Sequence, residues 1–106
     1  MKEFTPQDWI AAGYTRFEAS DMRPGEDFFV QKRIRDENGD VLYHITVSVT
    51  DVSKIPGVQL PHRWGFTPRV DFRCEPTVEV AVHTSDPEVA EAKFHDLWVF
   101  LGKPCE

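Results

Sequence analysis

The stretch DFFVQKRIRDENGDVLYHITVSVT, residues 27–50, decides the fold. Apolar and polar residues alternate on both sides of Asn38-Gly39, a dipeptide suited to the two-residue type I′ turn of a tight hairpin. Folding about that turn pairs Ile34 with Tyr43, Val30 with Val47 and Phe28 with Val49, which gathers one apolar face. The same register sets Phe29, Gln31, Arg33 and Arg35 against Ser48, Thr46, His44 and Leu42 on a polar face. A slip of one residue would send every apolar side chain to the wrong side, so turn and pattern fix the pairing together. Lys32 interrupts the apolar series beside Ile45; its stem is expected along the edge of the core with the ammonium in water.

Downstream, Arg69–Cys74 and Thr77–His83 read as a second pair of strands, with Val70, Phe72 and Cys74 facing the same way as Val78, Val80 and Val82. Pro76 marks the turn. Pairing Phe72 with Val80 needs an odd loop, because an even one would set Phe72 against Glu79; a three-residue turn is expected. Ser85-Asp86-Pro87-Glu88 then supplies a helix cap, a first-turn proline and an acid at the positive end of the helix dipole. Ala90, Phe94, Leu97, Trp98 and Leu101 recur at helical spacing, and Gly102 followed by Pro104 stops the helix.

Upstream, Thr5 caps a short helix over about Pro6–Ala12, with Asp8 at capping-box spacing and Phe4 and Trp9 placed as a hydrophobic staple. Gly13 is positioned to end it in the left-handed conformation. Tyr14–Glu26, anchored by Tyr14 and Phe17, reads as a loop that closes in the turn-rich run Asp21-Met22-Arg23-Pro24-Gly25-Glu26. The order α-β-β-β-β-α implies an α+β domain over residues 1–106: a two-layer arrangement of a four-stranded antiparallel sheet with helices on one face.

That architecture leaves the opposite sheet face open, carrying Arg33, Arg35, His44, Thr46, Arg69, Asp71, Arg73, Glu79 and His83. A solvated face with cross-strand ion pairs is the ordinary reading of such a surface, and a binding site is the sharper one. The connection over 51–68 is a second candidate surface. It has no clear periodicity, exceeds the usual length of a structureless loop, and contains Arg63-Trp64, residue types favoured at interface hot spots. Against that, Trp64 and Phe66 have the size of residues that fold back to seal a core.

Composition narrows the function classes. With 18 Asp and Glu against 12 Lys and Arg, the net charge of −6 argues against a nonspecific grip on nucleic-acid phosphate and suits a basic or uncharged partner. Two cysteines, Cys74 and Cys105, make neither a disulfide framework nor a paired zinc knuckle. The N-terminus carries no basic stretch followed by an apolar core, and no apolar run has the length of a membrane span, so a cytoplasmic location is expected. The histidines at 44, 62, 83 and 95 lack metal-ligand spacing, and there is neither a phosphate-cradling Gly-rich loop nor a Gly-x-Ser-x-Gly elbow. No metal, cofactor or catalytic residue is expected. The one acid–base set open to the chain is His44 and His83 with Asp71 or Glu79, an arrangement a small metal-independent nuclease could use.

Gln7-Asp8-Trp9-Ile10-Ala11-Ala12-Gly13-Tyr14, then Gln31-Lys32-Arg33, then Trp98 to Pro104 resemble small proteins encoded by tailed bacteriophages and prophages, over most of the chain. The resemblance implies a context rather than a catalytic set: small acidic phage proteins often act as stoichiometric inhibitors of host enzymes or immune complexes, anti-CRISPR and other counter-defence factors among them. The expectation is therefore a non-enzymatic binding protein, monomer or homodimer, that inhibits a host enzyme or defence complex. Its binding residues would be Arg33, His44, Arg63, Trp64, Arg69, Asp71, Arg73 and His83. A protein that binds a small anionic ligand or nucleotide on the same face, a nuclease, and a virion or assembly subunit are the alternatives.

Overall fold

The computed structural model describes residues 3–18, 27–57 and 61–104. The chain is α+β: a five-stranded antiparallel sheet and two helices. Helix α1 spans Pro6–Ala11, β1 Thr15–Phe17, β2 Phe28–Arg35, β3 Val41–Asp51, β4 Trp64–Phe72, β5 Val78–Ala81 and α2 Pro87–Phe100. The strands follow one another in the sheet as they do in the chain, β1-β2-β3-β4-β5.

The central hairpin keeps the expected register from Phe28↔Val49 to Ile34↔Tyr43 and then shifts, so that Arg35 pairs with Val41 rather than Leu42. The cause lies in the turn. Asp36 N–H donates to the Asp40 carbonyl and Gly39 N–H to the Asp36 carbonyl, while Gly39 sits at φ +87°. This is a three-residue loop ending in a left-handed glycine, which leaves one extra residue, Leu42, on β3. Asp36 favours it over the two-residue turn, because its carboxylate accepts from the N–H groups of both Asn38 and Asp40 at 2.9 Å.

Three further expectations change. The sheet has five strands, not four, because Thr15–Phe17 leaves the assigned loop and adds to the edge of β2 in the register Thr15↔Gln31, Phe17↔Phe29. The connector reading at Asp21–Glu26, positions 58–60 of the second candidate surface, and Cys105 lie outside the described residues. Next, β4 begins at Trp64, five residues before Arg69, and pairs with β3 from Asp51↔Trp64 to Thr46↔Arg69. Gly65 and Pro68 disguise it in the sequence. Pro68 is tolerated because its carbonyl accepts from Val82 N–H, so its absent donor points to the side where β5 has already ended at Ala81. Finally, Phe72 pairs with Val78 and Val70 with Val80, two residues from the expected register, across a five-residue connection containing the cis Glu75–Pro76 bond. The shift is even, so the apolar side chains keep their face.

Both helices pack on one face of the sheet. Trp9, fully buried, stacks on Phe66 with centroids 5.4 Å apart, and Tyr43 contacts Phe72 and Trp98. Ala90, Phe94 and Trp98 of α2 close the core over Val30, Ile45, Val47 and Val70. The two helices end alike. In α1, Tyr14 N–H reaches the Trp9 carbonyl and Gly13 N–H that of Ile10; in α2, Lys103 N–H reaches Trp98 and Gly102 N–H reaches Val99. Each is a Schellman ending built on a glycine at positive φ, +105° at Gly13 and +85° at Gly102. Asp86 caps α2 by accepting from Glu88 N–H at 2.9 Å. Asp8 accepts from Thr5 N–H at 2.7 Å, and the Thr5 side chain faces the Asp8 backbone in return, the expected capping box.

Lys32 differs from its expected role. Its side chain is about three-quarters buried, and the ammonium donates to the Ala12 carbonyl at 2.9 Å and to Glu91 at 2.8 Å. The cation thus ties β2 to the end of α1 and to α2 rather than reaching freely into water. Among the described residues, no helix is long and apolar enough to cross a membrane.

Candidate functional site

Strand alternation directs the residues between the core positions to the face that the helices leave uncovered. There, Gln31, His44, Thr46, Arg69, Asp71, Arg73 and Glu79 line a broad concavity of about 600 Å³ whose walls expose mainly polar atoms. Three strands build its floor: Gln31 comes from β2, His44 and Thr46 from β3, and Arg69 and Asp71 from β4. Glu79 closes one side from β5, and Arg73 follows the end of β4.

Hydrogen bonds hold the floor. Gln31 Nε2 donates to Thr46 Oγ1 at 3.2 Å, across the register pair that joins them. Arg69 donates from Nη2 to Ser48 Oγ at 3.1 Å, and Ser48 is buried. The guanidinium is thereby laid along β3 beneath the concavity. Asp71 and Glu79 stand directly opposite each other on β4 and β5.

Four of the residues read from the sequence as candidates meet here: His44, Arg69, Asp71 and Arg73. Arg33 pairs with His44 in register but lines a neighbouring concavity of about 470 Å³, with Gly13, Thr15, Phe17, Gln31 and Lys32. Gln31 borders both hollows, so the open face is continuous from β1 to β5. His83 is exposed beyond the end of β5 and does not line either.

Arg63 and Trp64 lie elsewhere. Trp64 falls on the helix-covered side of β4, packed edge-on against Phe28 at 6.2 Å as part of the core margin. The Arg63 guanidinium lies over the Trp64 ring at 4.7 Å and donates to Asp51 through Nε at 3.3 Å and Nη2 at 3.1 Å. Asp51, only 3% exposed, also accepts from Ser53 N–H and Oγ, capping the short 3₁₀ turn Val52–Lys54. These bonds, Arg63 first and Ser53 next, hold its carboxyl down at about 2. The Val52 N–H closes the base of the connection on the Arg63 carbonyl at 2.8 Å. The cation–aromatic pair thus has a structural task at the root of a connection that runs from Val52 to Arg63, shorter than the 51–68 span read from sequence.

Thr15 and Phe17 reach the open face without having been marked for it. Phe17, 37% exposed, stacks on Phe29 with centroids 5.4 Å apart. The available signal was composition, since Tyr14, Thr15 and Phe17 are strand-favouring residue types directly after the Gly13 helix stop; Tyr14 is buried and Phe17 is turned the other way.

Among the described residues, no group of three or more His, Cys, Asp and Glu side chains is placed to hold a metal ion. Compared with known protein families, with curated proteins and with solved structures, the chain matches none.

Proposed function

We propose that this chain is a non-enzymatic binding protein that docks a partner protein on the open face of its sheet. The single observation that supports this reading most is the continuous polar face over residues from all five strands, with the concavity of about 600 Å³ at its centre. A mostly polar, broadly open hollow suits a protein surface with its own charged groups better than an apolar small molecule, which wants a closed and apolar pocket. In this reading the sequence is one domain acting in the cytoplasm of a bacterial host. The partner is a host enzyme or defence complex that the chain inhibits stoichiometrically, the context that the resemblance to phage proteins suggests. In this reading the docking surface is the sheet face, since Arg63 and Trp64 are engaged in holding the β3–β4 connection.

The test is affinity capture of the tagged chain from host lysate beside an Arg69→Glu, Arg73→Glu variant and a Lys93→Glu control on the exposed side of α2. Recovery of one partner in near-equimolar amount by wild type and control, and its loss with the double variant, is the expected result. A partner retained by the double variant overturns the surface.

A second reading, a small anionic ligand bound at Arg69 and Arg73, draws on the same concavity. It would raise Tm on addition of the ligand without a protein partner.

A further inference from the structure

Strand β5 ends the sheet, and its main chain is open on the outer side. Val82 N–H donates to the Pro68 carbonyl, so the hydrogen-bonding groups of Val78, Val80 and Val82 are directed at β4. By the alternation of an antiparallel ladder, those of Glu79 and Ala81 point away from it. No strand among the described residues takes them. The segment Thr77–His83 also lacks the devices that keep an edge single: it holds no lysine, arginine or proline, and its register with β4 is unbroken. The opposite edge has them, since β1 is three residues long and carries Arg16.

The apolar layer of the sheet runs on past its cover. Val47 and Val70, beneath α2, are shut off from water, whereas Val78, Val80 and Val82 in the same layer are only half-buried. On α2, Glu91 faces β2 through its ion pair with Lys32. At about 100° per residue, Val89 and Phe100 fall on the opposite flank of the helix, the side of β5. Val89 is exposed, and Phe100 is 83% exposed. An open strand edge and a row of uncovered apolar side chains therefore share one border of the molecule.

We infer that two copies of the chain pair β5 against β5 about a two-fold axis at Ala81, joining their sheets. The edge is complementary to itself in that register. Setting Ala81 against its counterpart places Glu79 opposite His83 of the second copy, on both sides of the axis, and Val80 opposite Val82. The outward main-chain groups of Glu79, Ala81 and His83 then meet one another, which a slip of one residue would prevent. The Glu79 carboxylate faces an imidazole able to donate to it, whereas a two-fold axis at Glu79 would oppose like charges. On the apolar side, Val80, Val82, Val89 and Phe100 of both copies close over the joint and leave water. Such a contact is isologous and closes at two copies. It is independent of the docking reading, whose partner binds the sheet face rather than its edge.

The experiment is sedimentation velocity of the full chain over a dilution series, with Ala81→Lys and Ala81→Pro beside it. Both substitutions fall on an exposed position whose N–H plays no part in pairing with β4, so the fold is kept, as circular dichroism and Tm check. Wild type is expected to sediment at twice the chain's mass at the high end of the series, and each variant to weaken association at least about tenfold. Oxidative cross-linking reads the register in a chain whose Cys74 and Cys105 are replaced by serine. There, Ala81→Cys should link two copies across the axis, where opposed Cα atoms stand about 5.5 Å apart. Thr15→Cys on the β1 edge should not. A monomer throughout the series, even one that takes up an extended peptide of another protein at this edge, would overturn the inference. So would association unchanged in the folded variants, or cross-linking at Thr15 in place of Ala81.

Discussion

Lys32 and Glu91 form an ion pair 2.8 Å long across 59 positions of sequence, joining the second strand to the second helix. The same ammonium donates to the Ala12 carbonyl at the end of the first helix. One side chain thereby holds both helices to the sheet, at a point where an apolar residue would have left a helix-end carbonyl and a part-buried carboxylate without their donor. Lys32→Ala is expected to cost about 2 kcal/mol, the range for losing a hydrogen-bonded charge at a part-buried site. Glu91→Gln keeps an acceptor and should cost less. Chemical denaturation of the three proteins under the same conditions checks the order.

Asp51 links stability to acid. Its carboxyl is held at about 2 by Arg63 and Ser53, below the value of about 3.9 for the unfolded chain. The folded-state value is the lower one, so the contribution is fully present above about pH 4 and is lost as pH falls toward about 2. Asp51→Asn should destabilise the chain at neutral pH and flatten the slope of stability against pH over that window. Unfolding curves collected from about pH 7 down to about pH 2 read both effects; an unchanged slope in the variant would show that another carboxylate carries the acid sensitivity.

The two tyrosines link stability to base with the opposite sign. Burial, then the nearby charge of Glu91, pushes Tyr43 up to about 12. Tyr14 is raised further, by burial first and then by the nearby charges of Glu91 and Tyr43. A folded-state value above the unfolded value of about 10 gives a contribution that is complete below about pH 10 and disappears as pH rises through about 12. The ultraviolet band of tyrosinate should therefore be absent from the folded chain near about pH 10.5 and should appear together with unfolding. Non-cooperative ionisation at the ordinary value, with the fold intact, would contradict the burial of both rings.

Sequence pattern made the central hairpin and the second helix legible because each is decided locally. Alternation fixes which side of a strand is apolar, and Asp86, Pro87 and Gly102 bracket a helical repeat. The faces of the assigned strands follow the same rule except at Leu42, which the bulge turns toward the core; even the two-residue slip that pairs Phe72 with Val78 preserves parity. What pattern could not carry was decided by partners distant in the chain. Thr15–Phe17 is too short to announce itself as a strand and exists by pairing with Phe29–Gln31. The first half of β4 was hidden by Gly65 and Pro68, whose cost is offset by long pairing with β3. At the candidate site, alternation alone put His44, Arg69, Asp71 and Arg73 on one face. The separation of Arg63 and Trp64 from them depended on Asp51, a contact no spacing rule reveals.

The proposed docking face is tested most directly by carboxyl footprinting, in which exposed Asp and Glu side chains of the tagged chain are amidated and counted by mass spectrometry, free and in complex with a partner recovered by affinity capture. Asp71 and Glu79 on the open face and Glu88 and Asp96 on the exposed side of the second helix are all accessible in the free protein. The account predicts that the complex protects Asp71 and Glu79 and leaves Glu88 and Asp96 as reactive as before. Protection of Glu88 and Asp96, with Asp71 and Glu79 still fully labelled, would contradict it and move the binding surface to the helical side of the molecule.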